Sequence, residues 1–123
     1  MFKEIIKYIK KNRVSTTEIA DALSKQGSLK NIRPLDYQNS LHKVGKIKCV
    51  FAFNESNFLV HHGAKYAKKD EVIIIFCEQC NEKAIIGDLI SKYLILYKEV
   101  SAIVVLGNVR DLPRLTKEKY PIW

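Results

Sequence analysis

Two short segments carry the residue types that could bind a small acidic molecule and a metal ion. Gly87-Asp88-Leu89 lies where a loop becomes a helix, and Gly107-Asn108-Val109-Arg110-Asp111 follows an apolar run. Free amide groups of residues 87–90 would favour an anion, and Arg110 can hold a carboxylate with two parallel hydrogen bonds. Asp88 could ligate a hydrated Mg²⁺, which needs only one or two carboxylates. From spacing alone, an acid favoured by the helix dipole and a surface Arg110-Asp111 pair explain the same residues.

Two further motifs carry reactive side chains. Cys77-Glu78-Gln79-Cys80 has the spacing of zinc and redox sites, but a structural zinc site needs four ligands, and His61-His62 is the only nearby candidate for the other two. We therefore expect two ordinary thiols at the end of a strand. Adjacent histidines on a helix are more typical of a surface or an interface than of a metal site, although a histidine can titrate near neutral pH.

The charge and the apolar runs limit the classes of partner. Lys and Arg total 21 against 13 acids, which gives a net charge of +8 and favours anionic partners without selecting one. No nucleic-acid recognition motif accompanies the lysines, so nucleic acid is not an expected partner. The longest apolar run, residues 72–77, is too short to span a membrane. Three cysteines without a secretory signal predict a cytoplasmic location with reduced thiols.

The elements that must position these residues follow from hydrophobic periodicity. Phe2, Ile5, Ile6 and Ile9 predict an amphipathic first helix with lysines between them, which covers the core or binds a membrane surface. Ser15 or Thr16 would cap a second helix that ends near Gly27.

The remaining pattern predicts an α/β fold. We expect strands over residues 45–53, 72–77 and 102–106, helices over residues 58–69 and 84–97, a short helix or turn over residues 111–119, and a last strand from residue 120. Phe58, Val60, Ala64 and Ala67 would point inward from the helix at 58–69. The order β-α-β-α-β after residue 45 is typical of an α/β sheet with right-handed crossovers. Such sheets bind ligands beyond the carboxyl ends of their strands.

These segments together resemble the RraA-like family, which includes the class II 4-hydroxy-4-methyl-2-oxoglutarate/4-carboxy-4-hydroxy-2-oxoadipate aldolases. The resemblance covers nearly the whole chain in order, through residues 15–23, 32–35, 57–64, 68–72, 87–89 and 107–111. It implies an α/β/β sandwich of the swivelling β/β/α type, formed as one domain over residues 1–123 without the family's C-terminal part. It also implies a homo-oligomer, a trimer or hexamer, with sites between subunits.

The resemblance also implies roles for individual residues. The amides of Gly87, Asp88, Leu89 and Ile90 would bind pyruvate together with Arg110. Asp88 would bind a divalent cation such as Mg²⁺, and Asp111 would hold the water of that metal. Arg110 and Asp111 would be the catalytic residues, because the metal and Arg110 stabilise charge that grows in the transition state.

We therefore expect a metal-dependent lyase, an aldolase or an oxaloacetate decarboxylase, that acts on a small α-keto acid and releases pyruvate. The alternative is a non-catalytic binding protein, because the RraA protein itself resembles the aldolases yet regulates an RNA-degrading enzyme by binding it. Members of that kind often lack the metal-binding acid, so the presence of Asp88 favours an enzyme.

Overall fold

Three parallel strands form the centre of the molecule. The computed structural model describes residues 1–38 and 41–123. The strands are β1 (Lys46–Phe53), β2 (Glu71–Glu78), β3 (Ala84–Ile86), β4 (Ala102–Leu106) and β5 (Asn108–Val109). The helices are α1 (Phe2–Asn12), α2 (Thr16–Ala22), α3 (Phe58–Lys65), α4 (Asp88–Lys92) and α5 (Leu112–Lys117), and a π-helical turn (Tyr93–Tyr97) continues α4.

The strand order of the main sheet is β1-β2-β4, with every pairing parallel. The connections through α3 and through α4 confirm the alternating strand and helix order expected from the sequence. The last residues extend the sheet beside β4, where the amide of Val105 donates to the carbonyl of Trp123 at 2.7 Å. The strands β3 and β5 pair in parallel and form a separate two-stranded sheet.

The two faces of the main sheet differ in how well they are buried. One face carries Ile73 and Ile75 of β2 with Ile103 and Val105 of β4, and these residues join the hydrophobic core with side chains from the helices. The opposite face, which we call the second face, has rows set by the strand register: Ile47-Val72-Ala102, Cys49-Ile74-Val104 and Phe51-Phe76-Leu106. Its β1 residues are exposed.

Two predicted helices are only partly correct. The helix expected over residues 84–97 is wrong at its start, because Ala84–Ile86 form β3 and the helix begins at Asp88. Pairing with β5 and burial of Ile85 and Ile86 outweigh the helical periodicity there. The helix expected over residues 58–69 ends at Lys65. Its residues Val60, Ala64 and Ala67 are buried as predicted, but Phe58 is exposed.

The amino-terminal helices form as predicted but bury none of their residues. Ser15 caps α2 in a capping box, in which its hydroxyl accepts from the Glu18 amide at 3.2 Å and its own amide donates to the Glu18 carboxylate at 2.8 Å. The second helix ends at Ala22, before the expected stop near Gly27. No helix within residues 1–38 and 41–123 is both long enough and apolar enough to cross a membrane.

Candidate functional site

The pairing of β3 with β5 brings the two predicted site segments together. Ile86 lies beside Val109 in the ladder, and the Arg110 amide donates to the Ile86 carbonyl at 3.0 Å. One step further along both chains, the Asp88 amide donates to Asp111 Oδ2 at 3.0 Å. The loop before α4 and the loop after β4 are therefore joined by hydrogen bonds on both sides of Gly87.

Gly87 is needed because two side chains lie against its α carbon. A β carbon at this position would lie 2.5 Å from Asp111 Oδ2 and 2.8 Å from Arg110 Nε. Its backbone is extended, with φ −147°, so the conformation itself would suit any residue. The glycine serves close approach, and it places the side chains of Arg110 and Asp111 over the start of α4.

The Arg110 guanidinium is open to solvent. Its Nε lies 3.7 Å from Asp111 Oδ2, and its side chain is 71% exposed. The first backbone hydrogen bond of α4 runs from the Ser91 amide to the Gly87 carbonyl at 3.1 Å. The amides of Leu89 and Ile90 come before this bond in the chain. The predicted substrate residues therefore lie on one loop beside Arg110, although the Asp88 amide is already occupied by the Asp111 carboxylate.

The Asp88 carboxylate interacts with cations other than Arg110. Its Oδ2 lies 2.8 Å from Lys92 Nζ, and its Oδ1 lies 4.0 Å from Arg114 Nε. Oδ1 is buried and accepts no hydrogen bond from the described residues. The i,i+4 spacing of Asp88 and Lys92 could have indicated this ion pair from the sequence, whereas the Arg114 contact depends on how α5 packs against α4.

Tyr120 is a second buried polar group close to this cluster. It is 5% exposed, and its hydroxyl has no hydrogen-bond partner among the described residues. Burial raises the pKa of the Tyr120 hydroxyl above its ordinary value, and the carboxylate of Glu118 raises it further. The hydroxyl therefore stays protonated at neutral pH. No sequence motif marked Tyr120 in advance.

A cavity of about 300 Å³ adjoins the same loop, and its lining residues are His61, Leu89, Ile90 and Tyr93. The sequence marked His61 only as half of an adjacent pair. The structure separates the two histidines, since His61 lines the cavity, whereas the His62 ring stacks on Phe58 and lies tilted against Tyr66.

Two carboxylates of this site could hold a divalent cation. Asp88 and Asp111 lie on the two joined loops, and Asp88 Oδ1 has unused acceptor capacity. Two oxygen ligands are the number that Mg²⁺ uses when water and substrate complete its octahedron. The two residues therefore offer the number of carboxylates that such an ion needs, and the ion would compete with Lys92 and Arg114 for Asp88. No cluster of three or more ligating side chains occurs in the described ranges 1–38 and 41–123.

Comparison with known proteins places the fold and the family. A family model described as RraA-like (Aldolase/RraA) matches residues 16–123. The chain belongs to the RraA-like family. The crystal structure of an S-adenosylmethionine: 2-dimethylmenaquinone methyltransferase from Geobacillus kaustophilus HTA426 is similar, with a TM-score of 0.74 at 15% identity. The match covers 89% of this chain and 66% of that one, so the RraA-like chain spans just under two thirds of its neighbour's length. No curated protein sequence matches it.

The two thiols of the Cys77-Glu78-Gln79-Cys80 motif lie in an environment typical of structural cysteines and not of reactive ones. Cys77 and Cys80 are both free, and Cys80 is buried in the core. Burial, together with the neighbouring Cys80, raises the pKa of Cys77 to about 11. Reactive cysteines need a thiolate near neutral pH, so this environment does not suit redox exchange.

We expect Cys77 to resist alkylation at pH 8. A pKa of about 11 leaves roughly 0.1% of the thiol ionised at that pH, against about 20% for a free cysteine. Labelling by iodoacetamide, followed by peptide mass spectrometry, should be at least about a hundredfold slower at Cys77 than in free cysteine. The exposed Cys49 provides the internal comparison. Equal rates at Cys77 and Cys49 would contradict the assignment.

We expect Gly87→Ala to displace the joined loops. The added methyl group would overlap Asp111 and Arg110. Displacement of Asp111 removes the acceptor of the Asp88 amide, and the loss of one hydrogen bond costs about 1 kcal/mol of unfolding free energy. Urea unfolding measures the loss, and amide exchange at Asp88 should accelerate because its acceptor moves. Glu82→Ala, an exposed change in the preceding loop, should alter neither measurement. Unchanged exchange at Asp88 in Gly87→Ala would show that the contact is not needed.

Proposed function

We propose that this RraA-like protein is a divalent-metal-dependent lyase that cleaves a small α-keto acid and releases pyruvate, as an aldolase or an oxaloacetate decarboxylase. The observation that supports the proposal most directly is the arrangement at Gly87, where an exposed guanidinium and a carboxylate lie over the start of α4. Family membership supports a reaction of the Aldolase/RraA type.

Arg110 would bind and orient the substrate. A guanidinium offers two parallel N–H groups to a carboxylate, and that of Arg110 is largely free to do so. The amides of Leu89 and Ile90 would bind the developing negative charge, because oriented donors stabilise a transition state without reorganising. The adjoining cavity, with His61 and Tyr93, would receive the remainder of the substrate.

Asp88 and Asp111 would hold the metal, which would act as a Lewis acid on the keto group. Asp111 also fixes the loop through its bond to the Asp88 amide, so its carboxylate is positioned before any ligand arrives. Lys92 and Arg114 neutralise the charge of Asp88. Those two residues would therefore control how tightly the site binds a divalent ion.

A non-catalytic binding protein is the second candidate. The ion pairs of Asp88 favour it, because an acid already paired with Lys92 and Arg114 needs no metal. The net charge of +8 would then attract an acidic protein or an RNA-processing partner. Binding of that kind weakens as salt rises.

We also propose that the protein is a homo-oligomer that associates through the β1 side of the second face. Ile47 is 58% exposed and Phe51 59% exposed, and Phe51 stacks on Phe76 with ring centroids 5.3 Å apart. An apolar strip of this kind on a strand with one unpaired edge is typical of a surface that another chain covers. The family resemblance suggests that the other chain is a second copy.

Arg110→Ala should abolish most of the proposed activity. We expect kcat/KM for pyruvate release from 4-hydroxy-4-methyl-2-oxoglutarate or oxaloacetate with Mg²⁺ to fall about 10²–10³-fold, the usual loss for one charge-stabilising group. A coupled lactate dehydrogenase assay measures the pyruvate, and EDTA should stop its release. Arg33→Ala, at an exposed residue outside the site, should keep full activity.

Absence of pyruvate release in the unaltered protein would overturn the lyase proposal. The binding candidate would then be supported by a pull-down whose signal survives Asp88→Ala and falls with salt.

Phe51→Asp should dissociate the oligomer. Light scattering after size exclusion should give a multiple of 14.2 kDa for the unaltered chain and 14.2 kDa for the variant. A buried charge without a partner disfavours association strongly. Phe58→Asp makes the same change at an exposed position on α3 and should leave the mass unchanged. A monomeric unaltered chain, or equal masses for all three proteins, would contradict the assigned surface.

A further inference from the structure

The amino-terminal helices cover part of the second face without filling the space beneath them. Neither α1 nor α2 buries a residue, yet both contribute to a cavity of about 370 Å³ whose floor includes Val72, Ala102 and Val104 of the sheet. The lining is apolar apart from Thr16, His42 and Lys43. Small-molecule sites in proteins start at about this volume and are mostly apolar with a few placed polar groups.

One hydrogen-bond contact and one ion pair hold the amino-terminal segment at the mouth of this cavity. The His42 ring nitrogen Nε2 lies 2.8 Å from the Val14 carbonyl, and Lys10 Nζ lies 3.5 Å from Asp70 Oδ1. These contacts hold the α1–α2 junction over the sheet, where Val72 remains half-buried and Ala102 and Val104 are buried. The cavity therefore lies between the sheet and an amino-terminal segment that these two contacts hold in place.

The cavity opens next to a basic pocket. A second cavity of about 390 Å³ shares His42, Lys43 and Val44 with the first, and Lys10 and Arg13 also line it. Its two acids are already paired, Asp70 with Lys10 and Glu99 with Lys69 at 3.0 Å. Arg13 and Lys43 have no ion pair within the described part of the chain, so positive charge is in excess at the opening.

We propose that this cavity binds a free amphipathic anion, a medium-chain carboxylate, with its hydrocarbon chain on the second face and its carboxylate between Arg13 and Lys43. Burial of each methylene of the chain favours binding, and Arg13 can hold the carboxylate through parallel hydrogen bonds. The lining matches this ligand class at both ends, apolar inside and cationic at the opening.

This site is separate from the proposed lyase site. Val44, which lines both cavities, and Ser101, which lines the basic one, precede the amino ends of β1 and β4. The Arg110 loop follows the carboxyl end of β4. Since the strands are parallel, the two sites lie at opposite ends of the strands. The proposed carboxylate site therefore does not depend on the proposed lyase site.

Trp123 provides a direct readout, because it is the single tryptophan of the chain and lines the cavity. Titration with monomeric decanoate should change its emission in a saturable manner. Acetate, which has the charge without the chain, and decanol, which has the chain without the charge, should each bind at least tenfold more weakly. Saturation by acetate at the same concentrations as decanoate would overturn the proposal, and so would the absence of any saturable change.

Paired variants test where the carboxylate binds. Arg13→Gln with Lys43→Gln should weaken decanoate binding at least tenfold. Lys7→Gln with Lys11→Gln removes the same charge at exposed positions of α1 that line neither cavity, and should leave the affinity within twofold. Equal affinities for the two double variants would overturn the site. Circular dichroism checks that each variant is folded.

A membrane surface is the competing occupant, because α1 is amphipathic. Sedimentation with anionic phosphatidylglycerol vesicles distinguishes the two. Binding to vesicles without a saturable response to monomeric decanoate would overturn the proposal in favour of a lipid surface. A saturable decanoate response that the Arg13 and Lys43 substitutions weaken would support it.

Discussion

The close approach at Gly87 is the constraint on which the rest of the site depends. Residues 23 positions apart meet there, because the Asp88 amide donates to Asp111 and the Arg110 amide donates to Ile86 on the other side. A β carbon at Gly87 would overlap Asp111 Oδ2, the acceptor of the first bond, and the side chain of Arg110. The site is thus positioned by two short strands, β3 and β5, and its geometry comes from backbone pairing more than from side-chain packing.

The number of cationic side chains around the site equals the number of carboxylates, so a bound metal ion would determine its net charge. Lys92, Arg110 and Arg114 provide three cations, and Asp88, Asp111 and Glu118 provide three carboxylates, with Glu118 bound to Arg114 at 3.2 Å. A divalent ion would therefore leave a net positive site, which suits a substrate with one or two carboxylates. The buried Asp88 oxygen and the Tyr120 hydroxyl, for which residues 1–38 and 41–123 offer no hydrogen-bond partner, lie where local charge changes are least screened.

Local patterns in the sequence predicted local features well. β4 covers the residues expected from its β-branched run, and Ser15, one of the two expected caps, caps α2. The family resemblance, and no local pattern, implied that Arg110 and the Gly87 loop share a site, and the pairing of β3 with β5 joins these two segments. The strand at Ala84–Ile86 was missed because only β5, over twenty residues away, makes an extended conformation favourable. The partners of Asp88 depend on helix packing for the same reason, and no local pattern shows that Arg114 rather than Arg110 approaches its carboxylate.

The sheet itself explains why several surfaces remain available. Buried strands gain stability from both faces, but here only one face joins the hydrophobic core, and the second is covered in part, by helices that bury nothing of their own. Because the core face provides most of the packing, the second face is available for the proposed contacts with another chain and with a ligand. Parallel strands also place all their amino ends at one edge and their carboxyl ends at the other. A cationic opening at the amino edge and an arginine loop at the carboxyl edge can consequently bind different anions without competing for space.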